Sequence, residues 1–238
     1  MAVKAWVRLP SNWIRNGGLT ALRWQNGGAG ADNIAALLAL APIAHLADEE
    51  TGIARATYDQ ICDATNLSRA KLANGLEILK QHGIVLPEPD GARSNYKLLN
   101  YSTDSGWAKF PGKSMYSNDR IAAFKDLRLR RPAELDAMKL FFFFVASRDR
   151  ATNQANVGYD KIEEGTGVQR IKIKTAISLL ASLSLVYIDH IPSRQNLHGV
   201  SNAYRIVGIE PTKHMGTTGR ALLQSREGMP FPDVSVSN

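Results

Sequence analysis

The chain has 238 residues, with 29 lysine and arginine against 22 aspartate and glutamate residues, a net charge of +7. This length accommodates about two domains of roughly 100 residues, and an apolar content of 44% excludes a disordered or collagen-like chain. The positive charge favours a polyanionic partner. The single cysteine, Cys62, excludes an intramolecular disulfide and suits a reducing cytoplasm.

Nothing in the sequence predicts a membrane protein. The longest fully apolar run, Leu140 to Ala146, is far too short to span a bilayer. The N-terminus shows neither the apolar stretch nor the cleavage site of a secretory signal. We therefore expect a cytoplasmic protein that has no membrane partner.

The sequence repeats itself at an offset of 101 residues. Trp6 and Pro10 recur as Trp107 and Pro111, and no gap is needed between Tyr58 and Val85. The further matches are Tyr58/Tyr159, Asp59/Asp160, Ile61/Ile162, Thr65/Thr166, Arg69/Arg170, Lys71/Lys172, Leu79/Leu180 and Val85/Val186. A period of this length corresponds to a whole small domain. We predict domains over residues 1–103 and 104–210, followed by a mostly flexible tail over 211–238.

Each copy begins with a strand and a long apolar helix. Residues 5–9 are predicted to be the first strand, and Asp32 is predicted to cap the following helix. Pro42 lies inside that helix and is expected to kink it or to end its first part. The counterpart in the second copy carries four consecutive phenylalanines over 141–144. We interpret them as core residues, and a dimer interface is the alternative.

Two shorter helices follow in the first copy. Thr57 and Gln60 have the spacing of a capping box, which begins a helix that ends at residues 66–68. Ser68 is suited to cap the next helix, which runs through residue 80. The leucines in this helix have helical spacing and predict one buried stripe, comprising Leu72, Leu76 and Leu79.

The second copy has the same pattern with weaker caps. Gly158 and Gln169 stand where the first copy has Thr57 and Ser68. The predicted buried stripe comprises Ile173, Ile177 and Leu180. In both copies the polar and basic residues of the second short helix must then face outward.

A β-hairpin is predicted after each pair of short helices. In the first copy, residues 89–91 predict the turn and residues 96–99 the returning strand. In the second copy the hairpin is seven residues longer, because Tyr204 corresponds to Tyr96. Two helices joined by a short turn and followed by a hairpin are typical of a winged helix-turn-helix. The predicted fold class is therefore α+β, mainly α, with two tandem winged helix-turn-helix domains.

The outward polar residues of these helices are candidates for DNA contact, because a helix approaches the major groove with its N-terminal residues. The candidates for contact with bases are Arg69, Asn74, Gln169 and Arg170, whereas Lys71, Lys172 and Lys174 are better suited to phosphate. Ser68 and Thr175 complete the polar faces. In the hairpins, Arg93, Arg194 and Gln195 are candidates for contact with the adjacent backbone or the minor groove.

The sequence offers no enzymatic or cofactor site. Its five histidines are isolated, with neither a metal-ligand spacing nor a cysteine cluster beside them. Residues 27–30 are glycine-rich but lack the Lys-Ser/Thr pair of a phosphate-binding loop. Single-stranded RNA is disfavoured, because no aromatic stacking platform is evident. We expect no catalytic residue, no cofactor, no metal and no small-molecule substrate.

Two segments, YDQICDATNLSRAKLANGLEIL and YDKIEEGTGVQRIKIKTAISLL, resemble the tandem winged-helix DNA-binding proteins of bacterial plasmids and mobile elements. Plasmid replication initiators are the best known of these proteins. The resemblance implies contacts with successive major-groove segments at repeated origin sites. It also implies dimers that repress their own promoter, and contacts with the replication machinery.

The leading hypothesis is a sequence-specific protein that binds double-stranded DNA and controls replication or transcription of such an element. If a pseudo-two-fold axis relates the copies, their half-sites should lie about one turn apart, near ~34 Å. The alternative is a winged-helix adaptor that binds a replication or partition protein instead of DNA. Residues 101–210 carry sixteen basic against eleven acidic residues, and residues 1–100 ten against nine. The second copy should therefore supply more of the nonspecific affinity.

Overall fold

The structure, a computed structural model, describes residues 3–25, 28–90, 93–150, 152–192 and 200–210. Within these ranges the chain forms seven α-helices and ten strands in small sheets, which confirms the α+β class. The predicted tail over 211–238 and the hairpin residues Arg194 and Gln195 lie outside the described residues.

The two halves have closely similar orders of elements. The first half comprises β1 (Trp6–Pro10), α1 (Asn12–Arg15), α2 (Ala29–Leu46), β2 (Ile53–Ala56), α3 (Tyr58–Thr65), α4 (Arg69–Gln81), β3 (Val85–Asp90) and β4 (Arg93–Leu98). The second half comprises β5 (Trp107–Pro111), β6 (Tyr116–Ser117), β7 (Arg120–Ile121), α5 (Pro132–Ala146), β8 (Gln154–Ala155), α6 (Tyr159–Thr166), α7 (Arg170–Ser182), β9 (Val186–Pro192) and β10 (Val200–Ile206). Short 3-10 helices occur at Gly18–Ala21, Lys113–Met115 and Ala122–Asp126.

Each half contains a three-stranded antiparallel sheet whose central strand is the last in sequence. The strand orders are β2-β4-β3 and β8-β10-β9. The strands β2 and β8 were missing from the sequence prediction. Both follow the same turn, in which the carboxylates of Asp48 and Asp149 accept hydrogen bonds from the backbone and hydroxyl groups of Thr51 and Thr152, respectively.

The first strands of the two halves pair with each other. Strands β1 and β5 are antiparallel, and their register is centred on Arg8 opposite Lys109, which are equivalent residues of the repeat. Trp6 and Trp107 stack with ring centroids 6.1 Å apart. Arg8 lies over the ring of Trp107, and Lys109 over the ring of Trp6, at 5.3 and 5.0 Å. These reciprocal contacts define a local two-fold axis through the centre of the ladder.

The segment after each of these strands packs on the opposite half. Arg15 Nε donates to the carbonyl of Ala146 in α5 at 3.1 Å, and Lys139 Nζ of α5 donates to the carbonyl of Leu22 at 2.9 Å. Burial lowers the pKa of Lys139 to about 8. In the other direction, Tyr116 donates its hydroxyl proton to His45 Nδ1 in α2 at 2.9 Å. The two halves therefore exchange these segments.

The core is continuous across both halves and is built around α2 and α5. Phe141, Phe142 and Phe144 are fully buried, and Phe142 stacks on Phe110 of β5 with ring centroids 5.5 Å apart. The phenylalanines are therefore core residues, as the primary interpretation predicted. Helix α4 lies against α2 so closely that a Cβ atom at Gly75 would come within 2.8 Å of the Ala35 backbone.

Helix α2 is long and apolar enough to cross a membrane by length and composition alone. In the structure, 78% of this helix is buried inside the protein, where it packs against α4 and α5. The longest fully apolar run, residues 140–146, lies within α5 and is also buried. Helix α2 is thus the central core helix of the described fold.

Three local predictions were wrong. Helix α2 begins at Ala29 with Gly28 as N-cap, because Gly28 adopts a φ of 106°, so Asp32 lies in the first turn and is not the cap. The alternative that Pro42 ends the first part of the helix was also wrong: α2 continues past Pro42 to Leu46, because burial on all sides compensates for one lost backbone hydrogen bond. In the first hairpin, residues 89 and 90 belong to β3 and not to the turn, and the returning strand begins at Arg93 and not at residue 96.

Candidate nucleic-acid interface

The helix pair α3–α4 has the caps that the sequence predicted. Thr57 Oγ1 accepts from the backbone N–H of Gln60 at 3.1 Å, and Gln60 Oε1 accepts from the backbone N–H of Thr57 at 2.9 Å. Asn66 ends α3 with a φ of 59°. Ser68 caps α4 by accepting from the backbone N–H of Lys71 at 3.3 Å. The hydroxyl of Ser68 therefore holds the start of α4 at the candidate interface.

The helix pair α6–α7 is capped differently. Gly158 and Gln169 make no side-chain cap bond, as expected from their weak capping potential. The carboxylate of Glu163 in α6 accepts from the backbone N–H of Arg170 at 3.2 Å and replaces the missing cap. The side chain of Gln169 is exposed at the N-terminus of α7 and is not used for capping.

The buried stripes are confirmed. Leu72, Leu76 and Leu79 of α4, and Ile173, Ile177 and Leu180 of α7, are at most 4% exposed. Both helices therefore turn the opposite face to solvent. That face carries Asn74 on α4 and Lys172, Lys174 and Thr175 on α7, all of them exposed.

The two candidate arginines are held by an aspartate of the preceding helix. Arg69 donates from Nε and Nη2 to Asp59 Oδ1 at 3.1 and 2.6 Å. Arg170 donates from Nη1 to Asp160, and its guanidinium lies over the ring of Tyr159. The arginines are 67% and 60% exposed, so each keeps one side of its guanidinium open to solvent. Hydrogen bonding to Asp59 also raises the pKa of Arg69.

The aspartates were not among the predicted site residues. The sequence could have indicated them, because an aspartate ten residues before the arginine occurs in both copies, as Asp59–Arg69 and Asp160–Arg170. An aspartate that accepts on one edge of a guanidinium fixes the direction of the other edge. The arrangement can therefore present two pre-oriented bidentate donors, which is the geometry that pairs with guanine O6 and N7.

The lysines of the two helices have different surroundings. Lys71 is half-buried and donates to Asp32 of α2 at 2.6 Å. Lys172 and Lys174 are exposed and make no ion pair with any residue in the described ranges. Burial raises the pKa of Asp136 in α5, and the nearby Lys139 and Lys172 oppose that rise. The second half thus presents free positive charge where the first half has an ion pair.

Ile171 was missed by sequence reasoning. It lies between Arg170 and Lys172 on α7 and is 84% exposed, the most exposed large apolar side chain in the described part of the chain. Its exposure could have been predicted from its position in the sequence. Two residues along a helix correspond to a rotation of about 200°, so Ile171 lies nearly opposite the buried Ile173. Helix α7 contains no acidic residue. Ile171 is therefore an exposed apolar side chain on a helix whose own polar residues are basic or neutral.

Other predicted residues have simpler surroundings. Arg93 is exposed at the start of β4, opposite Asp90 in the hairpin. Cys62 is half-buried, and burial followed by the charge of Asp59 raises the pKa of its thiol. His45 is a satisfied core histidine, since its Nε2–H donates to the carbonyl of Pro111 at 2.7 Å. In the ranges that the structure describes, no group of His, Cys, Asp or Glu could hold a metal ion.

A comparison of the sequence with protein-family models finds no match, and a search among curated proteins finds no similar sequence.

Proposed function

We propose that this chain is a sequence-specific protein that binds double-stranded DNA and controls replication initiation or transcription of a plasmid or mobile element. In this proposal each half is a winged helix-turn-helix unit, with α4 and α7 as the two recognition helices. The order helix, strand, helix, helix, hairpin in both halves supports the assignment, as does the sheet in which β2 or β8 pairs with the last strand.

The observation that carries the proposal is the repeated arrangement of arginine and aspartate at the start of both helices. Asp59–Arg69 and Asp160–Arg170 hold exposed guanidinium groups at equivalent places in the two halves. Isolated surface ion pairs contribute only about 0–1 kcal/mol to stability. Stability therefore does little to explain why both halves contain this pair. Two oriented bidentate donors fit base recognition in the major groove.

The local two-fold axis of the β1–β5 ladder supports a specific arrangement of the DNA site. Two recognition helices related by such an axis match an inverted repeat whose half-site centres are about one turn, ~34 Å, apart. One chain then binds one complete site. Because the outward residues of α4 and α7 differ, the two half-sites should also differ in sequence.

Selection from a random duplex pool tests the function directly. The full-length chain at physiological salt should enrich two half-sites one turn apart in inverted orientation. The same half-sites placed as direct repeats, or moved by five base pairs, should bind more weakly. If no duplex is retained and a replication or partition protein is captured instead, the adaptor function replaces the proposal. Mapping of occupied DNA in the host then separates initiation at origin repeats from repression at promoters.

Replacing Arg69 or Arg170 with alanine is expected to weaken binding to the selected site by about 1–3 kcal/mol and to relax the preference at one base pair. The reason is the loss of one bidentate contact to a base. Binding constants on the selected site and on single base-pair variants measure both effects. Lys80→Ala, at the far end of α4, is the matched control and should preserve the preference. An equal loss on selected and random duplexes would assign these arginines to phosphate contact.

The salt dependence of binding is expected to distinguish the lysines. Lys172→Gln and Lys174→Gln should each reduce the slope of log K against log salt by about 0.9, because each loses a phosphate contact. Lys71→Gln should change it less, since Asp32 already neutralises this lysine in the free protein. Titrations at several salt concentrations measure the three slopes. Equal reductions would contradict the proposed asymmetry between the halves.

Ile171 is expected to contact a thymine methyl group. Replacing the thymines of the α7 half-site one at a time by deoxyuridine removes only that methyl, and one such change should weaken binding about fourfold. Ile171→Ala should cause a similar loss and abolish the sensitivity to deoxyuridine. Ile53 of β2 is partly exposed and serves as the control: Ile53→Ala should leave the sensitivity to deoxyuridine intact. If Ile171→Ala retains the sensitivity, Ile171 does not make this contact.

A further inference from the structure

A basic loop precedes α5 in the second half. We define the basic loop as residues 127–131, which contain three exposed arginines, Arg128, Arg130 and Arg131. Two leucines anchor the loop: Leu127, which precedes Arg128, is 5% exposed, and Leu129, between Arg128 and Arg130, is half-buried and packs against the core. The three arginine side chains are exposed to solvent.

A fully buried carboxylate holds this loop in place. Glu134 of α5 accepts hydrogen bonds from the backbone N–H groups of Arg128, Arg130 and Arg131 at 2.9, 2.8 and 3.1 Å. Leu129 adopts a φ of 57°, a conformation that a leucine rarely occupies. Such strain persists only where the surrounding contacts enforce it. The backbone of the basic loop is thus held in one conformation, although its arginine side chains are exposed.

The guanidinium groups of Arg128 and Arg130 have no acidic partner within the described ranges. Arg131 is 3.7 Å from Glu134. A structural role for these two guanidinium groups would require a partner. The hydrogen bonds of Arg128 and Arg130 to Glu134 are made by their backbone N–H groups and not by their side chains. A rigid loop with free cations is preorganised for an anionic ligand, because little entropy is lost when the ligand binds.

The loop lies at the end of the second half that carries the N-terminus of α7. Helix α5 packs against α7. Burial raises the pKa of Asp136, in the second turn of α5, and the nearby Lys139 and the α7 residue Lys172 oppose that rise. The first half has the same arrangement, where Asp32 of α2 contacts Lys71 of α4 at 2.6 Å. The N-terminal ends of the core helix and of the second helix of the pair are therefore adjacent in both halves.

The loop has no basic counterpart in the first half. The five residues that end at the N-cap of α2, residues 24–28, contain no lysine or arginine, whereas the five that end at the N-cap of α5 are the basic loop. Much of the charge difference between the halves is therefore concentrated in this loop. The excess positive charge is held beside α7 by a rigid backbone and is not spread over the surface of the second half.

We propose that the basic loop is a binding site for the phosphate backbone of duplex DNA, present in the second half only, which extends the interface beyond α7. This inference rests on the proposed function. Arg128 and Arg130 bind phosphate oxygens next to the α7 half-site. The contact adds affinity for any duplex and distinguishes no base pair.

The test compares two double variants of the full chain that remove equal charge. Arg128→Gln/Arg130→Gln leaves Arg131 at the start of α5, whereas Lys80→Gln/Lys97→Gln removes two exposed lysines of the first half. The slope of log K against log salt is measured on the selected site and on a random duplex. The arginine variant should lower the slope by about 1.8 on both, at about 0.9 per phosphate. The lysine variant should change it little.

A third variant, Arg128→Lys/Arg130→Lys, retains the charges and should retain the slope of the wild-type chain. If Arg128→Gln/Arg130→Gln changes the slope no more than Lys80→Gln/Lys97→Gln does, the basic loop does not bind DNA and the proposed function stands without it. If Arg128→Lys/Arg130→Lys lowers the slope as much as Arg128→Gln/Arg130→Gln does, loss of charge is not the cause and the phosphate assignment is overturned. If the wild-type chain retains no duplex, the proposed function itself fails.

Discussion

Replacing Glu134 with alanine is expected to lower the free energy of unfolding by about 3–5 kcal/mol. The variant leaves three backbone N–H groups without the buried carboxylate that accepts from them. It also removes the cap of α5, whose N-terminus begins at Pro132. Urea unfolding followed by circular dichroism measures the change.

Two controls make this result specific. Glu134→Gln keeps one carbonyl oxygen as an acceptor and should cost about half as much. Glu77→Ala, on the exposed face of α4, should cost less than ~0.5 kcal/mol. If Glu134→Ala is no more destabilising than Glu77→Ala, Glu134 does not hold the basic loop. The inference about that loop would then lose its structural support.

Acidification is expected to destabilise the protein through His45. The ring is buried between the halves, with Phe110 at 5.1 Å and Tyr116 as hydrogen-bond donor, and burial lowers the pKa of His45 to about 4. The ordinary histidine pKa of about 6.5 applies to the unfolded chain. Because the folded pKa is lower, the stabilisation is fully present above pH ~6.5 and is lost as pH falls from there through about 4.

The size of this effect follows from the two pKa values. Between pH 7 and pH 4 the wild-type chain should lose about 3 kcal/mol more stability than His45→Gln, whose side chain does not titrate. Urea midpoints across this pH range measure the difference. His82→Gln, at the exposed end of α4, is the matched control and should follow the wild-type curve. Parallel curves for wild type and His45→Gln would show that His45 does not couple protonation to unfolding.

Local sequence signals were sufficient for the helix pairs. The capping box at Thr57, the cap at Ser68 and the apolar stripes of α4 and α7 each depend on residues within about one or two helical turns. These signals also placed Arg69 and Arg170 on the exposed face of the helices. The part of the candidate site that depends on helix geometry alone was therefore predictable.

The features that were missed depend on tertiary contacts. Strand β8 has two residues and β2 four, too few to show alternation, and they are strands only because β10 and β4 pair with them. Asp32 was assigned as a cap because its residue type suits one, whereas the helix begins earlier, at Ala29, and Asp32 is paired with Lys71. No local pattern in β1 indicates that its partner is its own repeat equivalent, β5. Long-range pairing is not encoded in short windows of sequence.

The ladder between β1 and β5 joins two similar halves within one chain, and this affects stoichiometry. An interface of this kind between separate subunits would make both folding and DNA occupancy depend on subunit concentration. Here the tethered halves meet at a fixed effective concentration. Occupancy of the DNA site should therefore rise in first order with the amount of protein, without the threshold of a dimerising regulator. Under the proposed function, each newly made chain would therefore bind DNA without a partner subunit even at low copy number.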